Sequence, residues 1–238
     1  MRLPLLAQGP DWVVIAKPPN LLVHRSEWTP HEPAVVQSLR DQLNRLVYPI
    51  HRLDRQASGC LLVATAQEAA GPLTTAFLAG RKQYLAMVRG AFPDDGPVEI
   101  DKPMRDDGGV IRDAHSTVWC LGRSEEPRCS LLLVEPTTGR YHQVRRHVRD
   151  LNHPILGDGD HGDRRINREW RARGVERLAL HCVAIRMTLP NGELLSVESP
   201  LFEDQARIWA EMPWWESARI RMPLLGTLAL SLRDRTAP

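Results

Sequence analysis

One carboxylate stands out for its neighbours. In His51-Arg52-Leu53-Asp54-Arg55-Gln56-Ala57-Ser58-Gly59, Asp54 lies between two arginines on a predicted loop, just before the continuous apolar run 60–64. Such a run reads as a buried strand. A neighbouring arginine favours the ionised form of a carboxylate. An anionic carboxylate at the mouth of a sheet is what nucleophilic or base catalysis at a sugar carbon requires. A loop aspartate that hydrogen-bonds its own backbone has the same local sequence, so this stretch alone leaves both readings open.

Two more stretches carry candidate chemistry. In Arg81-Lys82-Gln83-Tyr84-Leu85-Ala86-Met87-Val88-Arg89-Gly90 a tyrosine opens a predicted strand. Its ring could stack on a base or simply be half-buried core. Thr138-Gly139-Arg140-Tyr141-His142-Gln143-Val144-Arg145-Arg146-His147 leads to Asn152-His153-Pro154-Ile155-Leu156-Gly157-Asp158. On a helix His142 and Arg146 share one face, and so do Arg145 and Arg149. A turn at Gly139 would open that helix, whose free N–H groups favour anions. The histidines near Asp158 raise the question of a metal. No H-E-x-x-H or comparable spacing occurs and the arginines repel cations, so no metal is expected.

Charge is uneven along the chain. Residues 139–186 hold 11 arginines against 6 acidic residues, whereas the whole chain has a net charge of only +2. The same segment holds His142, His147, His153, His161 and His181. This composition suits a polyanionic partner.

The elements that must position these groups follow from periodicity and turn residues. Strands are predicted at 12–16, 21–24, 60–64, 84–88, 116–121, 130–135 and 178–189, with a return strand at 193–197 after the Asn191-Gly192 turn. Helices are predicted from Pro33 through Val35, Leu39, Leu43 and Leu46, then at 67–78, 142–151, 163–173 and 203–211. Residues 93–113 read as a surface loop with at most one short strand. Strands outnumber helices and one adjacent pair shares a two-residue turn. The expected class is therefore α+β, a mixed, largely antiparallel sheet with flanking helices.

At 238 residues, 42% hydrophobic and 25% charged, the chain suits one substantial core. The uncharged run 223–232 is too short to span a membrane, which takes roughly 20 apolar residues. Asp11 interrupts the N-terminal stretch too early for a signal peptide. A cytosolic protein is expected, with Cys60, Cys120, Cys129 and Cys182 as free thiols.

Together the three stretches resemble the RluA-type pseudouridine synthases. That family's signature runs H-R-L-D-x-x-[TS]-S-G-L-L-L, then K-x-Y-x-A-x-V-x-G, then G-R-x-H-Q-[IL]-R-x-H…H-P-I-x-G-D, and the blocks occur here in that order. Ala57, Cys60 and Tyr141 depart from the pattern without removing a catalytic group; Ala57 lacks a hydroxyl that would brace the loop. The resemblance implies a pseudouridine synthase fold. A catalytic domain is expected over 1–212; after Pro213-Trp214-Trp215 the sequence pattern is lost, and residues 213–238 are left as an unplaced C-terminal tail. It implies isomerisation of a uridine in RNA without a cofactor, Asp54 as the catalytic carboxylate, Arg145 as its partner and Tyr84 stacked on the flipped base. It places His51, Arg52, Arg140, His142, Arg146, Arg164 and Arg168 against RNA, with a structural role as the alternative for His51. Leu22-Val23-His24-Arg25-Ser26, the 161–168 segment and the compact length resemble the branch that acts on position 65 of tRNA. A monomer acting on tRNA, away from membranes, is expected. Ribosomal RNA or another tRNA position is the alternative substrate, and a non-catalytic RNA-binding protein on the same scaffold is the rival function. A glycoside hydrolase needs two acids around one bond; the motifs offer one.

Overall fold

The computed structural model describes residues 1–106 and 108–232. In chain order the elements are β1 (Leu5–Gln8), β2 (Trp12–Lys17), α1 (Val35–Leu43), β3 (Tyr48–Pro49), β4 (Ser58–Ala64), α2 (Gln67–Ala79), β5 (Arg81–Arg89), β6 (Val98–Asp101), β7 (Met104–Arg105), β8 (Ile111–Arg112), β9 (His115–Glu125), β10 (Arg128–Pro136), α3 (Gln143–Asp150), α4 (Arg164–Ala172), β11 (Leu180–Thr188), β12 (Leu194–Glu198), α5 (Glu203–Ala210) and α6 (Trp215–Arg221). A short 3-10 turn spans Pro223–Gly226.

One mixed, largely antiparallel sheet carries the fold, in the order β1-β2-β4-β11-β5-β10-β9-β6, with β12 added to β11 and β3 to β4. The β4–β11 pair is parallel, matching His181 with Ser58 and Cys182 with Gly59. All seven residues of β4 are buried, as a strand covered on both faces demands. Gly59 takes φ +109° where the strands meet, and a side chain there would run into the Cys182 carbonyl; glycine alone meets both demands.

Buried side chains form two clusters. One gathers around β2, β4, α1 and α2, the other around β5, β9, β10, α3 and α5. Tyr84 packs against both, at their junction.

Several sequence expectations are redrawn. Residues 21–24 make only an isolated bridge, Leu22 with Ala34. The carbonyls of Leu22 and Val23 instead accept the N–H groups of Val35 and Val36, closing the start of α1. That helix ends at Asn44, which adopts φ 51°, so Leu46 lies outside it and is exposed. The 93–113 segment contains β6 and the β7–β8 ribbon. Beyond Pro213, Trp214 and Ala218 are buried, and Trp214 Nε1 donates to Cys129 Sγ at 3.3 Å. The polar helix α4 is started by Asp163, whose side chain accepts the N–H groups of Arg165 and Ile166.

Candidate active site

Asp54 sits on the loop between β3 and β4. With Ala57 in the loop, backbone anchors hold it. Lys17, wholly buried, donates from Nζ to the carbonyls of Pro18 at 2.9 Å, Leu21 at 2.9 Å and Arg55 at 3.1 Å. Arg177, gripped by both oxygens of Asp204, donates to the Gln56 carbonyl at 3.2 Å. The Gln56 side chain accepts Leu178 N–H at 3.3 Å, and Ala57 N–H returns to the Asp54 carbonyl at 3.1 Å. The carboxylate that results is fixed at its base and 22% exposed at its tip.

Arg145, on the first turn of α3, faces it. Its Nη1 donates to Asp54 Oδ2 at 3.0 Å and to His142 Nε2 at 2.7 Å. Nε and Nη2 grip Asp158 at 2.8 Å and 2.6 Å, and Nη2 also reaches Asp160 at 2.7 Å. A guanidinium has five N–H donors, so every one is engaged. Burial works against the charge on Arg145, but the hydrogen bonds and charges of Asp158, Asp160 and Asp54 outweigh it and raise its pKa. For Asp158 burial opposes ionisation, yet Arg145 and the N–H groups of His161 and Asp160 hold its pKa below the usual value.

This donor accounting fixes two tautomers. Arginine can only donate, so His142 Nε2 accepts and its proton is on Nδ1. That proton points to His161 Nε2 at 3.0 Å, which must accept in turn. Both imidazoles are neutral. Burial, ahead of the opposing pull of Asp54, lowers the His142 pKa, and burial likewise lowers that of His161. His142 is the N-cap of α3, with φ 53°, and the Tyr141 ring stacks on it at 3.7 Å.

Asp54, Tyr141, His142 and Arg145 border a cavity of about 440 Å³ lined also by Phe77, Lys82, Tyr84 and Leu180, within the usual range of ligand pockets. Tyr84 is half-buried. Burial raises its phenol pKa well above the usual value, with Cys182 and Asp54 adding to the effect, so the phenol is neutral.

The remaining sequence-predicted residues divide. His51 lines the cavity but its Nε2 accepts Leu62 N–H at 3.1 Å and its ring stacks on Phe77 at 4.2 Å. Burial, with the Lys82 charge, lowers its pKa to about 3. Arg52 lies at the rim, 5.8 Å over the Tyr141 ring, and Arg140 donates to the Asp113 carbonyl at 2.9 Å. Arg146 donates to the Arg105 carbonyl at 3.2 Å, outside the cavity lining. Arg164 and Arg168 are exposed on α4, away from the cavity. His147 and His181, counted with the basic segment, are fully buried. Sequence reasoning assigned no role to Asp160, Lys82 or Phe77, and treated Asp158 and His161 only as parts of longer segments. Asp158 closes a quoted motif, but nothing local says which cation it meets. Among the described residues no cluster of acidic, cysteine and histidine side chains is arranged to hold a metal ion. No helix among them is long and apolar enough to cross a membrane.

Comparison with known proteins gives a consistent picture. The family described as RNA pseudouridylate synthase matches residues 11–150. The chain is 40% identical over 212 residues to the tRNA pseudouridine synthase C of Pasteurella multocida (strain Pm70), covering 80% of this chain and 87% of that one. It is 36% identical to the tRNA pseudouridine synthase C of Salmonella typhi, over 89% and 90% of the two chains. In three dimensions it is similar to human RNA Pseudouridylate Synthase Domain Containing 1, with a TM-score of 0.70, 23% identity and coverage of 96% and 97%.

Proposed function

The chain belongs to the RNA pseudouridylate synthase family, and from that premise we propose that it is an isomerase that converts a uridine of tRNA, at position 65, to pseudouridine. The observation that carries this is the Asp54 carboxylate, held 3.0 Å from Arg145 Nη1 at the edge of a cavity that Tyr84 also lines. The reaction exchanges the N1–C1′ bond of the nucleotide for a C5–C1′ bond. A base inside a stacked helix is out of reach, so the nucleotide must be flipped into the cavity. Tyr84 then offers a ring face to the uracil, and Asp54 meets the sugar. Two routes use a carboxylate placed this way, addition to C1′ or removal of the C2′ proton. Arg145 holds Asp54 in position and balances its charge.

Substrate choice rests on different features. Relatives named for tRNA share 33–40% of their residues with this chain over most of its length. Arg52 and Arg140 at the rim, with Arg164 and Arg168 on α4, supply cations for phosphates. The Leu22-Val23-His24-Arg25-Ser26 segment and residues 161–168 favour position 65.

Asp54→Asn tests the chemistry. The amide is neither nucleophile nor useful base, so turnover should vanish while folding and RNA affinity stay near wild type; activity above a few percent would refute the role of Asp54. Mapping pseudouridine in tRNA and rRNA from cells with and without the protein tests the target. A transcript with cytidine at the candidate position should gain no pseudouridine.

A further inference from the structure

Lys82 precedes Tyr84 by two residues on β5 and lines the same cavity. The residue is only 5% exposed. Its ammonium makes one long hydrogen bond, 3.4 Å to the Phe77 carbonyl, and lies 5.1 Å over the Phe77 ring. An ammonium has three donors, so capacity for two more acceptors remains among the described residues. The carboxylate that acts on it, Glu135, already accepts Arg81 Nε at 2.8 Å and Gln83 Nε2 at 3.1 Å. Burial lowers the Lys82 pKa, only partly offset by Cys182 and Glu135. A buried cation without full pairing is costly, and such a group in a cleft is a candidate for function.

The other cations of the cavity are engaged elsewhere or lie at its rim. All five donors of Arg145 are engaged by Asp54, Asp158, Asp160 and His142. Arg52 lies over Tyr141 at the rim and Arg140 is tied to the Asp113 carbonyl. Lys82 is the buried cation with donors to give, on the strand that also carries Tyr84.

We propose that Lys82 donates a hydrogen bond to a carbonyl oxygen of the uracil stacked on Tyr84 and stabilises the negative charge on that ring as the N1–C1′ bond breaks. The bonding pair leaves with the ring and spreads over N1 and the carbonyl oxygens, while Lys82 keeps its proton. C1′ is met by the Asp54 oxygen, or C2′ gives its proton to that oxygen. When C5 joins C1′ the ring supplies the pair for the new bond, and either the Asp54–C1′ bond breaks with its pair returning to the carboxylate or C2′ takes its proton back from Asp54; the proton on C5 then departs and N1 gains one. The role rests on the pseudouridine-forming reading above, and makes Lys82 a preorganised electrostatic group.

The test compares wild type with Lys82→Met on a tRNA transcript carrying uridine or 5-fluorouridine. Fluorine makes the departing ring a weaker base, so it needs less stabilisation. Lys82→Met should melt no lower than wild type and bind tRNA within twofold, yet consume N1-linked uridine about 100-fold more slowly, as for loss of one oxyanion donor. On 5-fluorouridine the deficit should shrink about tenfold, each comparison made under single turnover. A Lys82→Met rate within threefold of wild type overturns the proposal. So does a deficit equal on both substrates, which is the mark of a purely structural lysine. If wild type forms no pseudouridine in any RNA, the functional reading falls first and takes the proposal with it.

Discussion

At the scale of single residues, Arg145 is fixed less by Asp54 than by Asp158. The Asp158 side chain is wholly buried and bidentate, whereas that of Asp160 is 65% exposed and makes a single hydrogen bond to Arg145. Removing one partner of a buried pair leaves an uncompensated charge, whereas exposed pairs contribute little. Asp158→Ala should therefore lower unfolding stability by about 3 kcal/mol, the low end for a broken buried pair because Asp54 and Asp160 still face the guanidinium. Asp160→Ala should cost less than about 1 kcal/mol. Urea unfolding of the two variants side by side checks the order; equal losses would mean that Arg145 is held by the network as a whole. Asp158→Ala should also slow turnover, because the arginine that positions Asp54 loses its own support.

At the scale of elements, α4 offers a test of binding apart from chemistry. Its arginines Arg164 and Arg168 are one helical turn apart and exposed, and the helix is anchored by the Asp163 cap and buried Trp170. Replacing both with alanine should leave the fold intact, weaken RNA binding and reduce the slope of log affinity against log salt by about one per arginine. The single-turnover rate at saturating RNA should not change. Titrations at several salt concentrations decide the matter; an unchanged slope would remove α4 from the RNA path. The Asp54 loop shows the opposite design, since its anchors, Lys17 and Arg177, come from β2 and from the segment before β11 and hold it to the sheet.

At the scale of the whole molecule, two shielded imidazoles, the half-buried His51 and the wholly buried His181, couple stability to pH. His51 accepts a backbone N–H from β4, and His181 bridges Ser58 and the Ser199 carbonyl. Burial above all lowers their pKa values, to about 3 for His51 and about 4 for His181, from 6.5 in the free side chain. In the unfolded chain each takes a proton as pH falls through 6.5, while the folded chain resists until the lower value. Stability is therefore intact above pH 6.5 and declines below it, by about 1.4 kcal/mol per pH unit for each group. Unfolding free energies measured from pH 7.5 to 5 should fall accordingly, and His51→Gln should reduce proton uptake on unfolding at pH 5 by about one. A flat profile would show that these imidazoles take up protons in the folded state.

The chemical groups and most of the elements are legible in the sequence because both are local properties. A continuous apolar run makes β4, an Asn-Gly pair makes the β11–β12 turn, and Asp54, Tyr84 and Arg145 stand out through residue type and motif spacing. What each polar group meets is not local. Asp54 and Arg145 are 91 residues apart in the chain, and Ser58 and His181 are 123 apart; their contacts exist only once β4, β11 and β5 lie side by side. His51, set beside Asp54 in the same motif, becomes a neutral acceptor for β4, and Lys82, one residue of a strand, becomes the cation beneath the cavity. Residues 21–24 have the composition of a strand but give their carbonyls to the start of α1. Residue type determines which bonds a side chain is able to make; the sheet's closure decides its burial and its partners, and burial and partners set its charge.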